Sequence, residues 1–319
     1  MSTYSMTSED LIDSVLRRAF IPRHQSTFTD ADLLAFADEE MDIGLIPSIL
    51  QVHEDYLMYT QNIPVLQSTN RYAIPYRAIG NKLREVSVED SSGNVYEMTR
   101  ISVADLPFYN YQAYNRPYAF YIENNEIVLV PITNYYQDGT KLKITYYMRP
   151  NSMVPIEDVG VINSINRTTG EIQLTSIPEN FNINSLYDFI QIKSPNKTLG
   201  FDLNAISVNS TSKTVTFDPT IIPTNLAIGD HLCLATECAV PQVPSDLHVI
   251  LAQRIACRCL EAMGDSEGLA VANQKLAEME SKILTLIDAR VEDAPQKITN
   301  RHSALRSSTI GRRNRFRGF

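Results

Sequence analysis

Residues 245–292 carry two runs of apolar side chains at helical spacing, and nothing close by in the sequence is suited to cover them. The first run predicts a helix over 246–263, with Val249, Ile250, Ala252, Ile255, Ala256, Cys259 and Leu260 on one side. After a break at Gly264-Asp265, the second carries Leu269, Ala272, Leu276, Met279, Ile283, Leu286 and Ile287. Spacings of three and four give each helix one apolar stripe, with Glu, Lys, Gln and Arg opposite. A stripe of this kind has to be buried against another layer. The segments just upstream read as strands, and the best helical partners stand at the other end of the chain. The expectation is an α+β fold: one helical bundle made from both chain ends, with antiparallel β segments inserted between its halves.

The N-terminal half of that bundle, residues 1–70, is well punctuated. Thr7 or Ser8 is placed to cap a helix carrying Leu11, Ile12, Val15, Leu16, Ala19 and Phe20, with Pro22 beyond its end. Thr29 caps a second helix, its hydroxyl taking the Asp32 N–H while Phe28 staples onto Leu33, and Gly44 ends it. A third is expected to start near Pro47, carry Ile49, Leu50, His53, Tyr56, Leu57 and Thr60, and stop before Pro64.

From Arg71 the pattern changes to short alternating runs. Over 71–154 it predicts a meander of about five strands. One hairpin turns at Ser91-Ser92-Gly93-Asn94, another turns tightly at Asn124-Asn125, and a last strand covers 141–148. The stretch from Phe108 to Tyr121, with Tyr109, Tyr111, Tyr114 and Tyr118, reads either as an exposed contact surface or as ordinary sheet packing. Residues 155–235 hold an internal repeat. VINSINRTTGEIQL at 161–174 matches NAISVNSTSKTVTF at 204–217, and Leu186–Ile190 matches Ile228–Leu232. Each copy reads as a hairpin, a Pro-containing loop and a third strand. Neither could bury an apolar face alone, so the two are expected to close on each other as a small sandwich or barrel. Residues 236–292 return to helix.

The net charge of −9 conceals a division. After Asp293 there is no acid, and Lys297, Arg301, Arg306, Arg312, Arg313, Arg315 and Arg317 stand in an arm over 293–319, while the chain up to and including Asp293 holds 21 basic and 37 acidic residues. An acidic body with a basic tail points to a partner for the tail. Phosphate of a nucleic acid and an acidic protein groove would both attract it. The interleaved Ile298, Leu305, Ile310, Phe316 and Phe319 favour protein docking, because phosphate contact needs no apolar anchors. A solvated tail without a role is the third possibility.

Catalytic and cofactor chemistry is not indicated. Cys257 and Cys259, two apart on a helix, point to different sides, and Cys233 and Cys238 lack a second pair at zinc spacing, so all four read as buried thiols in a reducing compartment. The histidines are scattered, and there is no phosphate loop, dinucleotide fingerprint or nucleophile elbow. Acidic pairs such as Glu39-Glu40 and Glu54-Asp55 read as solvated helix faces, and the Asn-x-Thr triads at Asn166, Asn196 and Asn209 as turns. No apolar run is long enough to span a membrane, and the first residues do not read as a signal peptide. The expectation is a non-enzymatic protein without cofactor or metal.

The stretches Thr29-Asp30-Ala31-Asp32-Leu33-Leu34-Ala35-Phe36-Ala37-Asp38-Glu39-Glu40, Tyr72-Ala73-Ile74-Pro75-Tyr76-Arg77-Ala78-Ile79-Gly80-Asn81-Lys82-Leu83-Arg84 and Ile144-Thr145-Tyr146-Tyr147-Met148-Arg149-Pro150 resemble neck proteins of short-tailed bacteriophages. The look is closest to the ring proteins of crAss-like phages. The order of helices, inserted strands, long helices and arm is similar to a head-to-tail adaptor, although residues 155–235 exceed a minimal one. The resemblance implies a homo-oligomeric ring of twelve copies in the virion neck, assembled in the host cytoplasm. The ring would lie beneath the portal protein, touch other tail rings and stay open for the passage of genomic DNA. It also implies that the arm docks on the portal, through Lys297, Arg301, Leu305, Arg306, Ile310, Arg312, Arg313, Arg315, Phe316, Arg317 and Phe319.

Overall fold

The structure is a computed structural model, and it describes residues 6–23, 27–52, 54–66, 69–109, 117–130, 139–193 and 197–287. Helix α1 (Ser8–Arg18) starts at Thr7, whose hydroxyl accepts the Asp10 N–H while the Asp10 carboxylate takes the Thr7 N–H. Helix α2 (Asp30–Glu39) starts at Thr29 with the same reciprocal pair made by Asp32. Each pair satisfies N–H groups that a helix start leaves without partners. The second helix does not stop at Gly44. A π-helical turn over Glu40–Leu45 carries it into α3 (Ile46–Val52), and the Ile46 N–H reaches back five residues to the Met41 carbonyl. That wider turn leads straight to Pro47, which has no N–H to give.

The third helix is shorter than its periodicity predicts. After Val52 come a 3₁₀ turn over Glu54–Leu57 and a strand, β1 (Met58–Pro64). Tyr56, Leu57 and Thr60 fit helical spacing, but Tyr59, Gln61 and Ile63 fit alternation equally well. Pairing with a distant strand decides between periods that the local sequence leaves tied.

That strand also changes the sheet topology. β2 (Arg71–Ala73), β3 (Ala78–Glu89), β4 (Val95–Glu97), β5 (Thr99–Arg100), β6 (Ala119–Glu123), β7 (Glu126–Val130) and β8 (Lys141–Met148) join β1 in two sheets, not one meander. Their orders are β1-β8-β3-β4 and β2-β7-β6-β5, with a short helix, α4 (Leu106–Tyr109), between β5 and β6. The hairpins at 91–94 and at Asn124-Asn125 form as predicted; both asparagines take positive φ, 49° and 63°, as a two-residue turn requires. Val86, Val88, Leu142, Ile144 and Tyr146 of one sheet meet Tyr72, Phe120, Ile127 and Leu129 of the other in a shared core.

After β9 (Ser152–Met153) come β10 (Gly160–Asn166), β11 (Glu171–Leu174), β12 (Leu186–Gln191), β13 (Lys197–Asn204), β14 (Ser207–Asn209), β15 (Thr214–Thr216), β16 (His231–Leu234) and β17 (Glu237–Cys238). Seven of these form a sheet in the order β13-β12-β16-β10-β11-β15-β14. Its two end strands are consecutive in the chain, separated by Ala205 and Ile206, so the sheet curls into a small barrel around Ile172, Leu174, Tyr187, Phe189, Val215 and Phe217.

The repeat is a repeat in space as well. Ile172 and Val215 hold matching places in the two copies, and they pair directly across β11 and β15. The Leu174 N–H donates to the Lys213 carbonyl at 2.8 Å, and its counterpart, the Phe217 N–H, donates to the Gly170 carbonyl at 2.9 Å. Asn166 and Asn209 each accept two backbone N–H groups from the turn that follows them. An approximate two-fold axis therefore runs between the copies.

The chain ends close the bundle. α5 (His248–Met263) stops at Gly264, whose φ of 73° is open to glycine without strain, and α6 (Ser266–Ile287) follows. Leu11, Val15 and Leu16 of α1 and Leu33, Leu34 and Ala37 of α2 share one core with Ile250, Leu251, Ile255, Ala256 and Cys259 of α5. Ala272 is buried in it, and Leu269, Leu276 and Met279 pack against it from α6. Val249 alone of the first stripe is substantially open, at 40 % exposure. The side chains of Ile283, Leu286 and Ile287 lie outside the described residues.

Candidate adaptor site

The arm residues singled out by sequence, Lys297, Arg301, Leu305, Arg306, Ile310, Arg312, Arg313, Arg315, Phe316, Arg317 and Phe319, all lie outside the described residues. What the structure does show is how the helix leading to them is held. Glu40, in the π-helical turn, accepts from Arg254 at 3.1 Å and from Arg258 at 2.7 Å, and Arg254 also pairs with Glu280 of α6. Gly44 makes room for this lock: a Cβ there would fall on the Arg254 guanidinium. Gln253 adds a second tie, donating to the Ala272 carbonyl at 3.3 Å while accepting from Arg18 at 3.0 Å.

The sequence reading missed this lock. Glu40 belongs to a pair read as a solvated helix face, yet it is buried. Its place just after α2 carries no sign of two arginines that come from far along the chain.

Between α1 and α6 lies an open cavity of about 800 Å³, lined by Arg17, Arg18, Leu260, Val271 and Lys275. Phe20 stands at its rim, 92 % exposed and with a φ of 56°. A bulky side chain held in the left-handed region is strained, and strain of this kind gathers where a surface has a task. Helical spacing puts Phe20 on the buried face of α1. The helix ends at Arg18, which turns Phe20 outward.

The second polar centre fixes the barrel. Arg77, just before β3, is buried and reaches Asp188 of β12 at 3.0 Å and Asp202 of β13 at 2.6 Å. It donates to Asn151 at 3.0 Å, and Asn151 in turn donates to Asp188 at 3.0 Å. Backbone N–H groups of Asp202 and Thr236 also donate to Asp188, so a fully buried carboxylate has a partner on every side. Burial pushes the Asp188 carboxyl above its ordinary range, and the Arg77 charge and these donors oppose it. At Asp202 burial acts upward too, but the bonds from Arg77 and Tyr76 outweigh it and hold the carboxyl low. Arg77 also lies over the Phe201 ring, 5.2 Å from its centre.

The cysteines, His231 and His248 are packed in the interior. The four cysteines are free and buried, and burial pushes Cys238 up to about 12 and Cys259 up to about 11. His248 sits near the Pro241 and Val243 carbonyls at 3.1 and 3.2 Å, and burial lowers His231 to about 4. Among the described residues, no group of three His, Cys, Asp or Glu side chains could hold a metal ion. None of the described helices is long and apolar enough to cross a membrane. In the tyrosine stretch, Tyr121 is buried and Tyr109 packs with Tyr118, while Phe108 is 75 % exposed; Tyr111 and Tyr114 lie outside the described residues.

The described residues thus form a capped and locked helical bundle carrying a β body, with the buried charges of Glu40, Arg77 and Asp188 paired. The chain belongs to the SU10 adaptor protein family, whose model matches residues 6–181, and is therefore a phage structural adaptor. The match spans α1 to β11 and ends inside the barrel, before the second copy of the repeat. No curated protein matches the chain. The solved structure of the group B streptococcus pilus 2b backbone protein aligns with 56 % of this chain and 74 % of its own, at 13 % identity and a TM-score of 0.18, too low to bear on fold or function.

Proposed function

We propose that this protein forms the adaptor ring of a phage neck, of the kind carried by crAss-like phages. In this reading twelve copies stand between portal and tail, and DNA passes through the ring without being read in sequence. The protein does no chemistry and uses no cofactor. The observation that carries the reading is the family match over residues 6–181, supported by the resemblance of the stretches at 29–40, 72–84 and 144–150. The basic arm, residues 295–319, reaches the portal protein, with Lys297, Arg301, Arg306, Arg312, Arg313, Arg315 and Arg317 meeting acidic groups. Leu305, Ile310, Phe316 and Phe319 supply the apolar anchors. The acidic balance of the body suits a conduit, because a wall that bound phosphate tightly would hold the genome back. The lock of Glu40, Arg254 and Glu280 holds α5 and α6 to the π-helical turn.

Deletion of residues 295–319 tests this reading. The truncated chain is expected to keep its melting temperature and lose binding to the portal protein, measured by co-sedimentation. Full affinity without the arm would sink the docking assignment.

A further inference from the structure

Among the described residues, the sheet β1-β8-β3-β4 has a hydrogen-bonded neighbour on only one side of β1 and on only one side of β4. We infer that these two edges join between neighbouring copies, β1 of one to β4 of the next, so that the sheet continues around the ring. The inference rests on the ring reading above and adds the surface that builds the ring.

Three features support it. The first is direction. All three pairings within the sheet are antiparallel, so with four strands β1 and β4 run in opposite senses. Copies related by rotation alone then meet with β1 and β4 antiparallel, and the alternation carries on without a break. An odd number of strands would have forced a parallel junction.

The second is the arrangement of free backbone groups. The Val65 N–H donates to the Thr140 carbonyl at 2.8 Å, one step beyond β1 in the same register. Antiparallel alternation then turns Tyr59, Gln61 and Ile63 toward β8 and leaves Met58, Thr60, Asn62 and Pro64 bonding outward. Pro64, with no N–H, stands where β8 asks nothing of it. On the other edge the Met98 N–H donates to the Val86 carbonyl and the Asp90 N–H to the Asn94 carbonyl, both at 3.0 Å. Val95 and Glu97 therefore bond outward. Each edge offers outward groups two residues apart, the spacing at which antiparallel strands exchange hydrogen bonds.

The third is the lack of protection at β1. A strand edge open to water is normally short, charged, bulged or covered, because it is a template for another chain. β2, β5 and β14 are only two or three residues long, and so is β4, which carries Glu97. β1 runs for seven residues, pairs with β8 without a bulge, and contains no charged side chain. Met58 on β1 is 41 % exposed and Val95 on β4 is 49 % exposed, so each edge also presents apolar surface.

The test uses the full chain under conditions in which the wild type assembles, with sedimentation velocity as the readout. Asn62→Pro and Glu97→Pro each remove one outward N–H and leave the inward ladder intact. Each is expected to raise the concentration needed for assembly at least about tenfold, with thermal unfolding of the monomer unchanged. The two variants break opposite edges, so an equimolar mixture should give a heterodimer through the one intact junction, although neither variant assembles alone. Assembly of both variants at the wild-type concentration would overturn the sheet junction and leave the ring reading standing, and so would a mixture that stays monomeric. A wild type that stays monomeric even with the portal protein present would remove the ring reading itself, and this inference with it.

Discussion

The helical bundle and the barrel solve the same problem in opposite ways. The bundle takes its core from the two ends of the chain: Val15 and Leu33 meet Leu251 and Ile255 across the whole inserted β body. The barrel takes its core from two adjacent copies of one pattern, which meet at Ile172 and Val215 about an approximate two-fold axis. A core made by distant segments needs correct placement of everything between them, whereas a core made by neighbours closes at lower entropic cost. Each is also tied to the rest of the protein differently. The barrel is held by a charged centre around the buried Arg77 and Asp188, the bundle by bonds from backbone N–H groups, Ser8 to the Ala239 carbonyl at 2.7 Å and Met153 to the Asp38 carboxylate at 2.8 Å.

The sharpest way to break this comparison lies inside the barrel, where its two copies are least alike. Gly170 and Lys213 hold equivalent positions with φ of 75° and 56°. A Cβ on Gly170 would fall on the Phe217 carbonyl oxygen, whereas Lys213 carries a full side chain and donates to the Thr175 carbonyl at 2.9 Å. Gly170→Ala is therefore expected to cost more than about 4 kcal/mol, in the range of severe core lesions. Lys213→Gly should stay within about 1 kcal/mol. Urea denaturation of the two variants measures the difference; equal losses would mean that the copies are interchangeable at this point.

Next in size is the attachment of the barrel. Arg77→Ala leaves Asp188 buried without its cation, and removing one partner of a buried pair costs about 3–5 kcal/mol. Replacing Asp188 by Asn in the Arg77→Ala background should recover part of that loss, because the amide needs no counter-charge. A recovery no larger than the scatter of the denaturation data would argue against an electrostatic origin.

How much of this was legible in the sequence follows the same division. The capped starts at Thr7 and Thr29, the Asn124-Asn125 turn, the stripe of α5 and the repeat were readable, because short-range geometry produces each of them. The pairing of both chain ends into one bundle was readable too, since the stripes had no other cover. β1 was not, because Met58–Pro64 fits two periods and its partner β8 lies far along the chain. Nor was the Arg77 centre. A single Arg and two Asp on separate strands carry no motif, and only the fold shows that Asp188 is fully buried beside them. Glu40 was misread for the same reason.

The smallest expected effect concerns the bundle's own attachment, and pH reveals it. Asp38 on α2 is partly buried, and burial pushes its carboxyl up to about 6, against the opposing bond from the Met153 N–H and with a further push from Asp42. In the unfolded chain the group titrates near 3.8. Between roughly pH 4 and pH 6 the folded state keeps a proton that the unfolded state has lost, so stability falls as pH rises through that window and is flat above it. Asp38→Asn keeps an oxygen to accept from Met153 and has no proton to lose. The variant's stability should therefore not fall with the wild type's across that window, and above pH 6 the variant should be the more stable of the two. Every other titrating group is common to both chains, so the difference between their denaturation curves isolates this residue. Parallel curves from pH 4 to pH 7 would show that the carboxyl titrates alike folded and unfolded, and that the seam between α2 and β9 is open to water. A seam that carries a proton between pH 4 and 6 would make the bundle's hold on the β body weaken as the pH rises through that window.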